Sequence, residues 1–325
     1  MGSLESDVVS PRPKLTGFAR YAWLTLGWNL LVILWGVFLR ASKSGDGCGQ
    51  HWVTCQGEFI PSAPELKTVI EFSHRITSSL AGIAIIALLV WAFVRWRRMR
   101  DQLSSSAMWA AIGSFVFVVV EGLLGRSLVL TGNTALNLTP ERPFWMAGHL
   151  INTFVLLAFL TITAYYASGG ERIRWNTAGK YKAAIVCGVA AIFIVGITGS
   201  IAALASMIFP SGSLAAGLAA DLSPTSNVLV RLRLLHPITA IAAGVALIFI
   251  AGWLGRQAGV GTKAKWWSNV VSLLVLGQLL FGAATLLMLA PIVMQLGHLF
   301  LVDAIWIGFV MLAANFLSKA TFGHP

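Results

Sequence analysis

Long apolar runs separated by short polar stretches dominate this chain, and each run approaches the ~20 residues a helix needs to cross a bilayer. Runs of this kind predict helices near 21–40, 69–94, 107–127, 144–167, 182–204, 228–254, 267–289 and 293–317. The fold class expected is therefore all-α and integral to the membrane, with eight transmembrane helices. Composition agrees: 57% of the residues are hydrophobic and 11% charged, against roughly 25% charged in a soluble domain. Residues 1–17 are mostly polar and read as a disordered cytoplasmic tail. No cleavable signal peptide is expected, because the first apolar run is long enough to remain as an anchor.

Charge adds orientation. The net charge of +11 would suit a polyanion partner, but its distribution does not. Arg12, Lys14, Arg20, Arg95, Arg97, Arg98, Arg100, Arg172, Arg174, Lys180, Lys182, Arg256, Lys263, Lys265 and Lys319 all fall on one side of an alternating chain. The other side has Arg40, Lys43, Lys67, Arg75, Arg126, Arg142, Arg231 and Arg233. The positive-inside rule then places both termini in the cytoplasm of a cell (inner) membrane protein. The basic excess is a topology signal, with no nucleic acid implied, and membrane lipid is the surrounding partner. The thirteen Trp fall mostly near span ends, as an interfacial belt requires.

The two halves of the chain resemble each other. His74-Arg-Ile-Thr-Ser-Ser-Leu-Ala-Gly-Ile-Ala84 aligns without gaps to His236-Pro-Ile-Thr-Ala-Ile-Ala-Ala-Gly-Val-Ala246. Gly148-His149-Leu150 echoes Gly297-His298-Leu299, and Glu121-Gly-Leu-Leu-Gly125 matches Gln278-Leu-Leu-Phe-Gly282. The expectation is two four-helix bundles, 18–170 and 171–325. An even number of spans per copy makes the repeats parallel, related by an axis along the membrane normal.

Four of the six histidines, His74, His149, His236 and His298, begin the even-numbered spans and so share one depth near the outer face. A single intramembrane His is often a helix–helix hydrogen bond. Four at repeat-related positions, two per bundle, are what bis-imidazole heme ligation requires. Zinc fits less well, since it usually takes three or four close ligands. His51 and His324 have no assigned role. Cys48 and Cys55, with six residues between them in the first outer loop, read as a disulfide or redox dithiol, or else as two unrelated thiols. Cys187, within the fifth span, reads as packing. The second long loop, 205–227, has no Cys and is rich in Ser, Gly and Ala.

Charges inside membrane spans usually pair, face an interior or do chemistry. Glu71-Phe-Ser-His-Arg75 packs three ionisable side chains into five residues at a span mouth. Glu71 neighbours both His74 and Arg75 on a helix, so it reads either as an ion pair with Arg75 or as an acid/base partner beside a ligand. Glu121 could bond across helices, carry protons or pair with Arg126. Asp303, five residues past His298, lies on another helix face. Some of Arg75, Arg126, Arg142, Arg231 and Arg233 could meet heme propionates, though interface anchoring explains each equally well.

The Glu71-Phe-Ser-His-Arg75 motif, the paired loop cysteines and the four histidines together resemble the heme A synthases, from about residue 18 to 318. These are eight-span membrane enzymes that convert heme O to heme A. The resemblance implies a substrate heme between His74 and His149, a resident heme b (iron) between His236 and His298, and Glu71 as the essential acid. It implies oxidation of a ring methyl to a formyl group through two hydroxylations and loss of water, with oxygen taken from water. Cys48 and Cys55 correspond to the family's first-loop pair, associated with heme transfer or redox reactions. Heme O and a heme O synthase that supplies it are the implied partners. The electron acceptor is open, and a homo-oligomer is compatible.

Three features depart from that pattern or from internal symmetry. A second loop Cys pair is absent, Pro237 stands where the first copy has Arg75, and Glu121 stands where an uncharged polar residue is expected. Two other functions share the same histidines: a diheme electron carrier between quinol and an outer acceptor, and a heme chaperone or exporter. Glu71 stands three residues before His74, whereas Arg233 stands three before His236. That inequality favours one reactive site and one electron-transfer site.

Overall fold

The computed structural model describes residues 15–318, and the expected tail and His324 lie wholly or largely outside that range. Every regular element among the described residues is a helix, apart from an isolated pairing of Cys55 with Glu58. Among the described residues eight helices are long and apolar enough to span a membrane, and the chain is an integral membrane protein. They are α1 Gly17–Ala41, α2 Leu66–Met99, α3 Gln102–Leu130, α4 Arg142–Ala167, α5 Gly179–Ile208, the combined span Val228–Ala258, α9 Lys263–Leu287 and α10 Ile292–Ser318. Several run past the apolar limits read from the sequence, because polar flanks such as Arg97 and Arg98 continue the last turn of α2. Their positive charge suits a helix C-terminus. Thr16, Asp101 and Thr262 cap α1, α3 and α9 by accepting from the amides of Ala19, Ser104 and Lys265.

Two local features were not expected. The long loop after α5 folds into a short helix, α6 Leu214–Leu222, capped by Ser213. The sixth span is broken into α7 Val228–Leu232 and α8 Leu235–Ala258. Pro237 explains the break. It has no amide to give the Arg233 carbonyl, which takes the His236 amide at 3.3 Å instead. In the first copy Arg75 occupies the matching position and α2 runs through unbroken.

Donors spaced seven residues apart on α1 set the register between α1 and α2. Tyr21 donates to the Ala84 carbonyl (3.0 Å), Trp28 to that of Thr77 (3.3 Å) and Trp35 to Ser73 Oγ (3.1 Å). In the first half α1 packs on α2 and α4, α2 on α3, and α3 on α4; in the second α5 packs on α8, α8 on α9, and α9 on α10. One apolar core crosses both halves, where α4 meets α5 and α10. There Phe154, Phe193 and Trp306 pack together, and the Trp306 indole donates to the Phe154 carbonyl at 2.6 Å. Aromatic burial of this kind fixes the halves against each other.

Candidate heme-ligand site

Both long interhelical loops, 42–65 and 209–227, lie at the histidine end of the bundle, and each is tied to a His-bearing helix by an acid and an arginine. In the first half Glu71 is buried on α2. Its Oε2 accepts from the Cys48 amide at 2.8 Å, and its Oε1 receives Arg75 Nη2 at 2.5 Å. Arg75 Nη1 donates to the carbonyls of His51 (2.8 Å) and Thr54 (2.9 Å). Gln56 and Thr68 add bonds to the Gly47 carbonyl. The ion-pair reading of Glu71 is therefore the geometry present: its carboxylate is turned to the loop.

Cys48 and Cys55 form a disulfide inside that loop, and both are buried. Denaturing alkylation is expected to tag one thiol, Cys187, before reduction and three after it, read as mass. Cys187 itself is exposed on α5, contrary to the expectation that it packs inside. A lone thiol on an apolar bundle surface suits a lipid-facing position.

In the second half no disulfide is present, and electrostatics hold the loop instead. Arg233, at the break between α7 and α8, meets Asp221 of α6 at 2.6 Å and donates to the Gly217 carbonyl and Ser211 Oγ. Each half thus has an acid–arginine clamp, Glu71–Arg75 and Asp221–Arg233. The contrast of an acid in one half with a base in the other does not survive. An arginine is not missing from the second half; it enters from the other side of the histidine.

The four histidines come together in pairs. His236 and His298 face each other with ring centroids 6.2 Å apart. Two imidazoles sharing one metal, with ~2.0 Å bonds and ring radii of ~1.1 Å, stand roughly 6 Å apart, so the spacing fits iron between them. His74 and His149 lie within electrostatic reach of each other across α2 and α4. His74 Nδ1 is buried with no hydrogen-bond partner. Among the described residues no larger cluster of His, Cys, Asp or Glu forms a metal site.

Neighbouring helices leave glycine where the rings pack. A Cβ at Gly36 of α1 would stand 3.0 Å from His74 Cε1, at Gly199 of α5 2.9 Å from His236 Cε1, and at Gly282 of α9 3.0 Å from His298 Cε1. Gly36 and Gly199 occupy corresponding places in the two copies. Sequence reading passed over all three glycines, although the repeat alignment was the signal that could have found them.

Polar partners orient the rings. Thr198 Oγ1 approaches His236 Nδ1 at 3.4 Å and also meets Thr239 at 2.9 Å. Gln278 Nε2 lies 3.1 Å from both ring nitrogens of His298, and its Oε1 is buried and unpartnered. The same Nε2 donates to the His298 carbonyl at 3.1 Å, which keeps the amide nitrogen on the histidine. At the matching position of α3, Glu121 Oε1 stands 3.4 Å from His149 Nδ1, while Asn152 and Thr153 of α4 donate to the same carboxylate. A carboxylate behind an imidazole fixes its tautomer and raises its basicity as a ligand. Of the three options open for Glu121, the bond across helices is the one realised; Arg126 is exposed. The first pair has a carboxylate at its back and the second an amide. Asp303 is buried with neither oxygen bonded, where the first copy has Phe154.

A cleft of about 300 Å³ between the first loop and the α3–α4 turn touches Asp46, Gln50, Thr134 and Asn137, and one of about 340 Å³ reaches Arg233. Neither is lined by any of the four paired histidines.

Comparison with known proteins follows the same pattern. The COX15-CtaA family model, described as cytochrome oxidase assembly protein, matches residues 19–310. A protein of Thermus thermophilus named protoheme IX farnesyltransferase is 40% identical over 307 residues, covering 94% of this chain and 50% of that protein. A heme A synthase of Symbiobacterium thermophilum is 36% identical over 143 residues, 44% of this chain and 42% of the relative. A heme A synthase of Shouchella clausii is 26% identical over 277 residues, 83% of this chain and 87% of the relative. The chain spans about half the length of the Thermus relative.

Proposed function

The chain belongs to the COX15-CtaA family of cytochrome oxidase assembly proteins, and from that premise we propose that it is a heme A synthase, an oxidoreductase acting on heme O. The observation that carries this reading is the pairing of four histidines at one end of the bundle, each ring seated against glycine or a polar partner. The N-terminal half, 18–170, would take heme O between His74 and His149; the C-terminal half, 171–325, would hold heme b between His236 and His298. A resident heme b supplies a one-electron relay. The overall change at the substrate methyl is CH3 + H2O → CHO + 4 H⁺ + 4 e⁻, the four electrons leaving to an electron acceptor outside this chain. The protons need acceptors, and Glu71 is proposed to take one up or to orient the water while holding the loop.

Glu121 is proposed as a positioning residue that holds His149 with one nitrogen free toward the substrate iron. Glu121→Gln is expected to keep the fold, since Gln278 serves the second half. It should weaken heme binding at the His74–His149 site by ~10-fold or more, read by spectral titration. An unchanged affinity would remove Glu121 from this role.

The diheme carrier is the second reading, and the two acid–arginine clamps take away the contrast that argued against it. What favours the enzyme is the remaining inequality, Glu121 behind His149 against Gln278 behind His298, together with relatives named heme A synthase. The name of the Thermus protein speaks of farnesyl transfer to protoheme, the chemistry that makes heme O, and half of that protein lies outside the match. That supports a heme O synthase as the supplying partner. We further propose the cell inner membrane, cytoplasmic termini and histidine pairs near the outer face, from the distribution of basic residues.

Expression in a host that makes heme O and lacks a heme A synthase tests the function. Extracted heme A supports the enzyme; heme B with unchanged heme O would leave the carrier.

A further inference from the structure

Two arginines near the first histidine pair have no acid to neutralise them. Arg40 lies in the last turn of α1 and is half-buried, and its guanidinium has no hydrogen bond or ion pair among the described residues. Arg142 begins α4 and is 2% exposed; its Nη atoms donate to the carbonyls of Asn137 and Ala135, and its Nε is buried without a partner. Helices α1 and α4 pack together, so both guanidinium groups belong to the same end of the first bundle. A buried guanidinium beside a half-buried one, neither with a carboxylate partner among the described residues, is costly, and an anion would offset that cost.

Their positions say which anion. Arg40 lies four residues beyond Gly36, the glycine against the His74 ring, and so ~6 Å further along α1. Arg142 lies seven residues before His149, ~10 Å back along α4 on the same face. Helices α1 and α4 are packed neighbours, and both displacements lead toward the end that carries loop 42–65. A porphyrin held between His74 and His149 could reach that end with its propionate arms. In the second copy the corresponding residues are Ala203 and Pro291, so the pair belongs to the first half alone.

We propose that Arg40 and Arg142 form the site that binds the propionate carboxylates of the substrate heme, orienting its ring between His74 and His149. This rests on the reading of that pair as the substrate site. A guanidinium fork matches a carboxylate, and bonds of this charge-assisted kind are the stronger ones.

The test titrates the purified protein, in nanodiscs of neutral phosphatidylcholine, with ferric protoporphyrin IX and with its dimethyl ester. Arg40→Gln is the principal variant, because it breaks no bond present in the structure; Arg142→Lys, which keeps charge but loses the fork, is the second. Wild type is expected to bind the acid ~10-fold or more tighter than the ester, and Arg40→Gln to bind both equally weakly. If Arg40→Gln binds the acid as wild type does while His74→Ala loses it, the propionate site is wrong and the heme site stands. If His74→Ala also binds unchanged, the heme reading itself fails. If Arg40→Gln loses affinity only in discs of anionic lipid, the arginines serve a lipid headgroup and the proposal falls.

Discussion

Substituting Ala for His74 or His149 is expected to abolish heme A while the purified protein still holds one heme b; substituting His236 or His298 is expected to remove that heme b. The reasoning runs from the geometry of each pair. A bis-imidazole site that loses one ring leaves an iron position open and the opposite ring without its partner, and the coordinate bonds are the main attachment of the group. The pairs are formed by different helices, α2 with α4 and α8 with α10, so emptying one does not remove a ligand from the other. The measurement is extraction and chromatography of hemes from each variant, beside the absorption spectrum of the intact protein. Heme b lost from His74→Ala and kept in His298→Ala would reverse the assignment of the halves. Loss of all heme from every variant would instead mean that the halves fold and load as one unit, which the shared core of Phe154, Phe193 and Trp306 makes physically reasonable.

The spans were legible because hydrocarbon leaves a mark at every position, whereas the site depends on which faces of distant helices meet. All eight apolar runs are helices, and their ends differ because a helix continues beyond hydrocarbon wherever its caps and flanks allow, as α2 does to Met99. The break before His236 was available in Pro237, whose missing amide frees the Arg233 carbonyl. Read only as a substitution for Arg75, it suggested a lost contact rather than a change of backbone. The Glu121–His149 contact was not legible: the two residues lie 28 apart, on antiparallel helices whose rotation no local pattern sets. The same holds for Asp221 with Arg233, since α6 arises from a stretch of Ser, Gly and Ala whose nine-residue helix is stabilised by its Ser213 cap and that ion pair. Histidines aligned between copies were the exception. Repetition carries three-dimensional information into one dimension.

Glu71→Ala and Glu71→Gln are expected to separate the two roles that converge on that carboxylate. Ala removes both acceptors, leaving the Cys48 amide without its partner and Arg75 without its counter-charge, though Arg75 keeps the His51 and Thr54 carbonyls; losing one partner of a buried ion pair costs up to ~3–5 kcal/mol. That variant should lose heme A and unfold at a lower temperature, with loop 42–65 released from α2 and open to protease. Gln has nearly the same shape, and its carbonyl oxygen can still accept from the Cys48 amide; its NH2 then faces Arg75 and the ion pair is lost, but Arg75 keeps the His51 and Thr54 carbonyls, so the loop should be loosened less than by Ala. What Gln cannot do is take up a proton at neutral pH. With the proposed acid/base role, Glu71→Gln should cut heme A formation by ~10²-fold or more while heme b content stays that of wild type and loop 42–65 resists protease better than in Glu71→Ala, because general acid–base groups contribute on that scale. Near-wild-type heme A from Glu71→Gln would make Glu71 a clamp only. Proton transfer would then have to be sought at Glu121, the carboxylate that the fold turns toward the first histidine pair.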